Sequence, residues 1–371
     1  MATPAATHAI VIGVGDYPHL PGGSGTLLLD HQNLGQLSSP PVSARSLADW
    51  LIREFDHPTK PLASLRLLVS EAEPASYTHP ISGEVHQPCA ATVDAVTSAL
   101  VEWKSAGDSN PDNLLLFYFC GHGIAGGMEL ALLCRDFGAN PDNPLEGALD
   151  FRKLHLGMKA RCKADEVCYF VDACRSGAEL TRYAEGFAGV VPFLPGPVQG
   201  RRAPVFYSTL MGDQAFGRAN KPSYFADALL RGLGGLGSDR NEGHWQVSTT
   251  QLKKAIDAEL ARREGSGSNQ QIPSTDDLTT FVLHRLKGPP EVPVVVACAP
   301  REANAEATLS CRRGGEVLHQ RPPAPLPWKL RLRAGSYEFE ADFAASAPFR
   351  ACVDEYYVCP PFQTVPLAVV K

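Results

Sequence analysis

Two stretches of the chain carry residue types that can perform nucleophilic catalysis. Cys174 follows the largely apolar run 166–172, and His122 follows the apolar run 113–119. A neighbouring imidazole takes up the proton of a thiol, and the thiolate is the reactive form of cysteine. Glycines flank both residues and allow a substrate backbone to come close. The pattern predicts a Cys–His pair that attacks the carbonyl carbon of an acyl substrate.

Two backbone amides beside this pair are candidates for an oxyanion hole. Attack on a carbonyl places negative charge on its oxygen, and each well-placed N–H donor stabilises that charge by about 3 kcal/mol. The N–H groups of Gly123 and Cys174 are predicted to act in this way. A lone cysteine is more often a buried small side chain. It is the shared placement of the two residues at strand ends that favours catalysis.

The elements that must position the pair are indicated by alternating apolar runs and helical patterns. Continuous apolar runs predict strands covered on both faces of a sheet, at 8–15, 64–70, 113–119, 166–172 and 203–209. Apolar residues at helical spacing predict helices at 41–55, 91–104, 150–160, 223–232 and 248–263. The fold class is therefore α/β with a mostly parallel central sheet flanked by helices. Because neighbouring parallel strands end at one edge about 4.8 Å apart, His122 is expected opposite Cys174.

The last part of the chain has a different pattern. Residues 294–371 alternate polar and apolar side chains between Gly-Ser and Pro-Pro pairs, without a convincing helix. This pattern predicts a small β-sandwich-like domain. We therefore divide the chain into an α/β domain at 1–286, a linker at 287–293 and the β domain at 294–371. The Gly-Pro-Pro segment predicts that few contacts cross this linker, so that a chain ending near Lys287 folds by itself.

Composition and charge argue against several classes of partner and cofactor. The net charge of −6 gives no electrostatic basis for binding nucleic acid or an anionic membrane. The absence of a leader-like start and of any apolar run of about 18 residues predicts a cytoplasmic protein with reduced thiols. The ten cysteines form no C-x-x-C pair, and there is no EF-hand loop. We expect no metal or other cofactor, while dependence on calcium stays open.

The motifs at 120–123 (C-G-H-G) and 172–177 (D-A-C-R-S-G) resemble those of the caspase-like cysteine peptidases. Asp172 stands where caspases carry Gln, which is similar to the prokaryotic metacaspase, or orthocaspase, branch. The resemblance extends over nearly all of the α/β domain and implies a caspase-hemoglobinase fold. It also implies hydrolysis of peptide bonds through an acyl-enzyme, with Cys174 as the nucleophile and His122 as base and acid.

The resemblance further implies which substrates are cleaved. Metacaspases cut after Arg or Lys with the help of acidic pocket residues, one of them two positions before the nucleophile. Asp172 occupies that position, Asp16 resembles a second pocket acid, and Asp213 matches a further acid only loosely. Two carboxylates in a narrow cleft suit the forked donors of an arginine. A structural role in a turn or at a strand end is the alternative for Asp172 and Asp16. Protein substrates with basic cleavage sites are the expected partners.

A dibasic pair lies between the nucleophile and the next predicted strand. Arg201 and Arg202 belong to the Pro- and Gly-rich segment 186–204, which predicts an exposed, irregular loop. A protease that prefers arginine would therefore carry a self-cleavage site here, with Arg182 as a second candidate. The alternative is a solvated pair of charges beside a strand.

Together these observations predict a cytoplasmic cysteine endopeptidase with a C-terminal β domain that serves regulation or the binding of a partner, for which a regulatory protein is the candidate. The resemblance implies a role in stress, cell death or anti-phage defence. Two alternatives stay open. One is a catalytically silent adaptor that acts through the C-terminal β domain, and the other is a different acyl transfer at the same site, such as peptide ligation.

Overall fold

The computed structural model describes residues 4–31, 33–126, 129–174, 190, 192–197, 200–210, 218–263 and 271–371. The chain forms two compact units that interleave along the sequence. The first comprises Met1–Leu230 and Glu259–His284, and the second comprises Arg231–Ala258 and Arg285–Lys371. No helix within the described ranges has the length and apolar character needed to cross a membrane.

The secondary structure alternates between strands and helices until α5 and then consists almost entirely of strands. The strands in chain order are β1 (Thr7–Val14), β2 (Leu62–Ser70), β3 (Tyr77–Thr78), β4 (Val85–His86), β5 (Leu114–Gly121), β6 (Gly123–Gly126), β7 (Glu129–Leu133), β8 (Ala148–Asp150), β9 (Glu166–Ala173), β10 (Val205–Tyr207), β11 (Ser238–Asn241), β12 (His244–Ser248), β13 (Ser274–Asp276), β14 (Val282–Arg285), β15 (Glu291–Ala299), β16 (Ala307–Arg313), β17 (Glu316–Arg321), β18 (Trp328–Arg333), β19 (Gly335–Phe343), β20 (Cys352–Val358) and β21 (Gln363–Ala368). The helices are α1 (Ser39–Arg53), α2 (Val93–Gly107), α3 (Phe151–Arg161), α4 (Tyr224–Arg231) and α5 (Thr249–Ala261).

A six-stranded sheet forms the centre of the first unit, in the order β13–β10–β9–β5–β1–β2. Neighbouring strands are parallel from β10 to β2, and the short edge strand β13 is antiparallel to β10. Every residue of β1, β5 and β9 is buried, as expected for strands covered on both faces. The predicted strands correspond to β1, β2, β5, β9 and β10, and the predicted helices to α1–α5. The α/β class is confirmed.

Helices pack on both faces of this sheet. On one face, Ile10 and Ile12 of β1 share a core with Val96 of α2. On the other face, α1 approaches Gly13 so closely that a Cβ there would lie 2.6 Å from the carbonyl oxygen of Pro40. Glycine at this position therefore permits the contact between α1 and the sheet.

The short strands β6, β7 and β8 form a separate antiparallel sheet that the sequence patterns did not indicate. β6 begins at Gly123, one residue after His122. The amide of Leu133, at the end of β7, donates to the carbonyl oxygen of His122 at 3.0 Å. This sheet fixes the chain on the C-terminal side of His122.

The second unit contains two small sheets around one core. Their strand orders are β18–β15–β21 and β17–β16–β19–β20. Val294 and Val296 of the first sheet share a core with Leu309 and Phe339 of the second. This arrangement confirms the predicted all-β character of the C-terminal residues.

The division between the units differs from the predicted boundary. Residues 231–258, with the β11–β12 hairpin and the beginning of α5, belong to the second unit although they precede the predicted linker at 287–293. Trp245 is 8% exposed and lies in the same core as Val292. The same core contains residues on the far side of the predicted linker, such as Val294 and Phe339. The expectation that few contacts cross the linker is therefore wrong.

Candidate active site

His122 and Cys174 follow adjacent parallel strands at the same edge of the central sheet. In the β5–β9 ladder Gly121 lies opposite Ala173, and each candidate catalytic residue comes next along its strand. The register therefore places the two residues opposite each other, as the sequence predicted for neighbouring strands. His122 is buried and Cys174 is half-buried.

Gly123 lies against the main chain of the nucleophile segment. A Cβ at this position would lie 2.5 Å from the carbonyl oxygen of Cys174 and 2.9 Å from the Cβ of Ala173. Any side chain here would push the two strand ends apart, so the close approach requires glycine. The part of the Gly123 and Cys174 amides in an oxyanion hole stays a prediction.

The imidazole of His122 is oriented by one hydrogen bond to the main chain. Its Nε2 lies 2.7 Å from the carbonyl oxygen of Gly35, which only accepts, so Nε2 is assigned the proton. Nδ1 then keeps its lone pair, as a general base requires. Burial lowers the pKa of His122 below its ordinary value, and the bond to Gly35 partly offsets this because it favours the protonated ring. At neutral pH the ring is therefore neutral and able to accept a proton.

Tyr17 supports the main chain and the ring of His122. Its hydroxyl accepts a hydrogen bond from the His122 amide at 2.8 Å and lies 3.3 Å from the carbonyl oxygen of Leu133, to which it donates. The centroids of the two rings are 4.9 Å apart. Complete burial raises the pKa of Tyr17 well above its ordinary value, so the hydroxyl keeps the proton that it donates.

Gln36 fixes the loop that supplies the Gly35 carbonyl. Its Oε1 accepts from the amide of Tyr17, and its Nε2 donates to the carbonyl oxygen of Tyr17, each at 2.9 Å. The side-chain amide of Gln36 therefore connects the segment of Gly35, which orients the His122 ring, to Tyr17, which binds the His122 main chain. Sequence patterns did not single out Gln36, which is one polar residue in a long connection between β1 and α1.

Asp172 lies in a closed polar cluster. Its Oδ2 accepts hydrogen bonds from the Tyr118 hydroxyl and the Cys120 thiol, each at 3.3 Å, and from the Ser223 hydroxyl. The residue is 3% exposed, and burial raises the pKa of its carboxyl while these hydrogen bonds lower it. No lysine or arginine of the described chain forms an ion pair with it. Its role in binding substrate stays a prediction.

Asp16 is bound to a cation of the same chain. Both Nε and Nη2 of Arg135 lie 2.8 Å from its Oδ2, and Asp16 is itself buried. A substrate arginine would have to replace Arg135 at this carboxylate. The pocket role of Asp16 stays a prediction. Because its carboxylate is already paired with Arg135, Asp16 is less accessible to a substrate cation than a carboxylate without an ion pair would be.

Arg201 and Arg202 are held against β9. The Arg202 amide donates to Asp165 and its carbonyl oxygen accepts from Val167, both at 2.9 Å. The Arg202 guanidinium pairs with Glu166 at 2.8 Å, whereas the Arg201 side chain is only 9% exposed. The expectation of an irregular, unpaired loop is therefore wrong at this pair, and Arg201 is not exposed, whereas the Arg202 side chain is 45% exposed as predicted. Self-cleavage here stays a prediction.

The other candidates and the remaining cysteines are placed as follows. Arg182 and Asp213 lie outside the described residues. Among the residues that are described, no group of three or more His, Cys, Asp or Glu side chains is arranged to hold a metal ion. All ten cysteines are described, and none is in a disulfide. Burial raises the pKa of Cys120, Cys134, Cys162, Cys168, Cys298, Cys311 and Cys352.

The chain is similar to a known protein family, to one protein known from its sequence and to one solved structure. A family model described as "Caspase domain" matches residues 6–283, a range that includes both His122 and Cys174. An uncharacterized protein of Sinorhizobium fredii (strain NBRC 101917 / NGR234), y4kE, is 26% identical over 293 residues, which are 77% of this chain and 83% of that protein. The crystal structure of caspase-1 from Spodoptera frugiperda aligns with a TM-score of 0.42 and 14% identity, over 76% of this chain and 91% of that chain.

Proposed function

The chain belongs to the caspase-domain family, and on that premise we propose that it is a cysteine endopeptidase. Cys174 attacks the scissile carbonyl carbon while Nδ1 of His122 takes the thiol proton. The C–N bond then breaks, His122 returns the proton to the leaving amine, and water hydrolyses the thioester. The observation that carries this proposal is the hydrogen bond from Nε2 of His122 to Gly35, which leaves Nδ1 as a base at the position opposite Cys174.

The proposal is tested by comparing hydrolysis of a fluorogenic Arg peptide by wild type and variants. Removing a nucleophile from such a pair costs on the order of 10⁴–10⁶ in kcat, and removing a general base costs about 10²–10⁴. We expect losses of this size for Cys174→Ala and His122→Ala respectively. Cys89→Ala, at an exposed thiol elsewhere, is the matched control and should keep full activity. Full activity of Cys174→Ala would refute a cysteine peptidase that acts through Cys174, whereas a wild type without any activity would favour the catalytically silent adaptor.

We further propose that the substrate residue before the cut is Arg or Lys, recognised by Asp172. The support is a buried carboxylate that has hydroxyl and thiol donors but no cation of its own among the described residues. A substrate guanidinium would displace the hydroxyls that now cover its oxygen. Asp16 would take part only after releasing Arg135.

Specificity is tested with matched Arg, Lys, Ala and Asp peptides. A hydrogen bond to a charged group contributes about 1.5–3 kcal/mol, so Asp172→Asn should lower kcat/KM for the Arg peptide about 10- to 150-fold. The isosteric amide keeps the shape of the cluster. Ser223→Ala, which removes one partner but keeps the charge, is the control for packing and should spare Arg preference. An equal loss on Arg and Ala peptides would show that Asp172 acts only on the fold.

The biological setting belongs to the same proposal. All ten thiols are outside disulfides, which supports a reducing compartment such as the cytoplasm. Regulation by self-processing rests on the Arg201-Arg202 pair together with the proposed preference for arginine, and a role in stress, cell death or anti-phage defence is what the resemblance to the metacaspases implies.

A further inference from the structure

A concave basin of about 700 Å³ lies within the second unit. It is lined by the β11–β12 turn, the segment before β15 and the turns that follow β16 and β18. Small-molecule sites typically have volumes of about 300–1,000 Å³. The basin is therefore large enough for a ligand of nucleotide size, and it belongs to a different unit from His122 and Cys174.

The charges that line this basin are all positive. Arg240, Lys287 and Arg313 line it together with His244, and no aspartate or glutamate does. None of the three permanent cations forms an ion pair within the described part of the chain. Like charges within a Debye length of about 8 Å repel each other, so such a group is stabilised by a bound anion. The chain as a whole has a net charge of −6, so this group of positive side chains is opposite in sign to the overall charge.

Arg313 is held in place for such a contact. Its guanidinium lies 5.4 Å from the centroid of the Tyr337 ring. A Cβ at Gly335 would lie 3.4 Å from Nη2 of Arg313, which is an ordinary van der Waals distance, so the guanidinium lies beside the backbone of Gly335. Gly314 also lines the basin, and a Cβ at this position would have no atom within 4 Å. The backbone of Gly314 is therefore open to a ligand. A guanidinium already stacked on a ring loses less entropy when it binds phosphate.

Aromatic rings complete the lining. Tyr357 is 49% exposed, and Trp245 is nearly buried. An exposed ring beside a cation offers a stacking surface to a planar group. We propose that the basin binds a small phosphorylated ligand of nucleotide size, with Arg240, Lys287 and Arg313 contacting the phosphates and Tyr357 contacting the planar group.

The test is calorimetric titration of the full chain carrying Cys174→Ala, so that its outcome does not depend on the peptidase proposal. The probes are ATP, tripolyphosphate and hexaglutamate at one fixed ionic strength. We expect saturable binding of ATP and tripolyphosphate, weakened at least about tenfold by Arg313→Glu or Arg240→Glu, which corresponds to about 1.4 kcal/mol. Tyr357→Ala should weaken ATP but spare tripolyphosphate.

Arg331→Glu is the matched control, because Arg331 is an exposed cation of β18 outside the basin. It should leave binding unchanged, and thermal melting should show that all variants are folded. The proposal is overturned if neither phosphate probe binds saturably, or if Arg331→Glu weakens binding as much as Arg313→Glu does. Preferential binding of hexaglutamate would also overturn it and would indicate an acidic peptide as the ligand.

Discussion

Gln36 offers the sharpest test of how the site is held together. Its side-chain amide makes two hydrogen bonds of 2.9 Å to the main chain of Tyr17, next to the carbonyl of Gly35 that orients His122. Each such bond contributes about 0.5–1.5 kcal/mol net, so Gln36→Leu should release about 1–3 kcal/mol of constraint on the loop. If the whole of this free energy is lost from the orientation of the His122 imidazole in the transition state, kcat decreases about 5- to 150-fold.

The pH dependence separates a positioning role from a purely structural one. The Gly35 hydrogen bond raises the pKa of His122, so a loosened Gly35 carbonyl should lower it further. The acid limb of the kcat/KM profile, which reports the free enzyme's base, should then move to lower pH in Gln36→Leu while the plateau falls. The KM for an Arg peptide should change little, because Gln36 makes no predicted contact with substrate.

Gln87→Leu is the matched control. Gln87 is exposed and lies between β4 and α2, and its amide donates to the carbonyl oxygen of Ala75, before β3, at 3.2 Å. It should keep wild-type kcat, pH profile and rate of alkylation at Cys174. If Gln36→Leu lowers the melting temperature but leaves kcat and the acid limb where they were, Gln36 stabilises the loop without positioning the base.

Two further predictions concern the whole chain. Active protein incubated alone should release a fragment beginning at Arg202 or Ala203 far more slowly than it cleaves a free peptide of residues 197–206, because the folded pair is bonded to β9 and must first open locally. N-terminal sequencing of the fragments measures the rate, with a Cys174→Ala sample as the control. Equal rates for the protein and the peptide would show that the pairing with β9 gives no protection. A chain ending at Lys287 should be insoluble or aggregated on gel filtration, because this truncation removes the core that Trp245 shares with Val292. A soluble monomer with wild-type activity would show that residues 231–258 do not need the C-terminal strands.

Much of the fold could be predicted because its cause is local in the sequence. Continuous apolar runs specify buried parallel strands, and β1, β5 and β9 are buried along their whole lengths. Boundaries between units depend on contacts between distant segments. Trp245 lies 46 positions before β15, which begins at Glu291, and nothing in the sequence around Trp245 shows that its core partners come from that strand. A linker-like composition therefore suggested a boundary at 287–293 that the packing does not follow.

The candidate catalytic residues and the groups that support them differ in how far the sequence predicts them. His122 and Cys174 could be predicted because the chemistry needs those side chains, and each stands directly after a strand. The ring of His122 is oriented through the main chain, since the carbonyl oxygen of Gly35 accepts from it and Gln36 holds this segment by bonding to the backbone of Tyr17. The Tyr17 hydroxyl, by contrast, supports the His122 amide through a side chain. Every residue type has a carbonyl oxygen, so a bond of this kind leaves no trace in the identity of the residue that makes it. Residues that complete a site through their backbone must be found from the fold, and the side chain that fixes such a segment is then the residue to mutate.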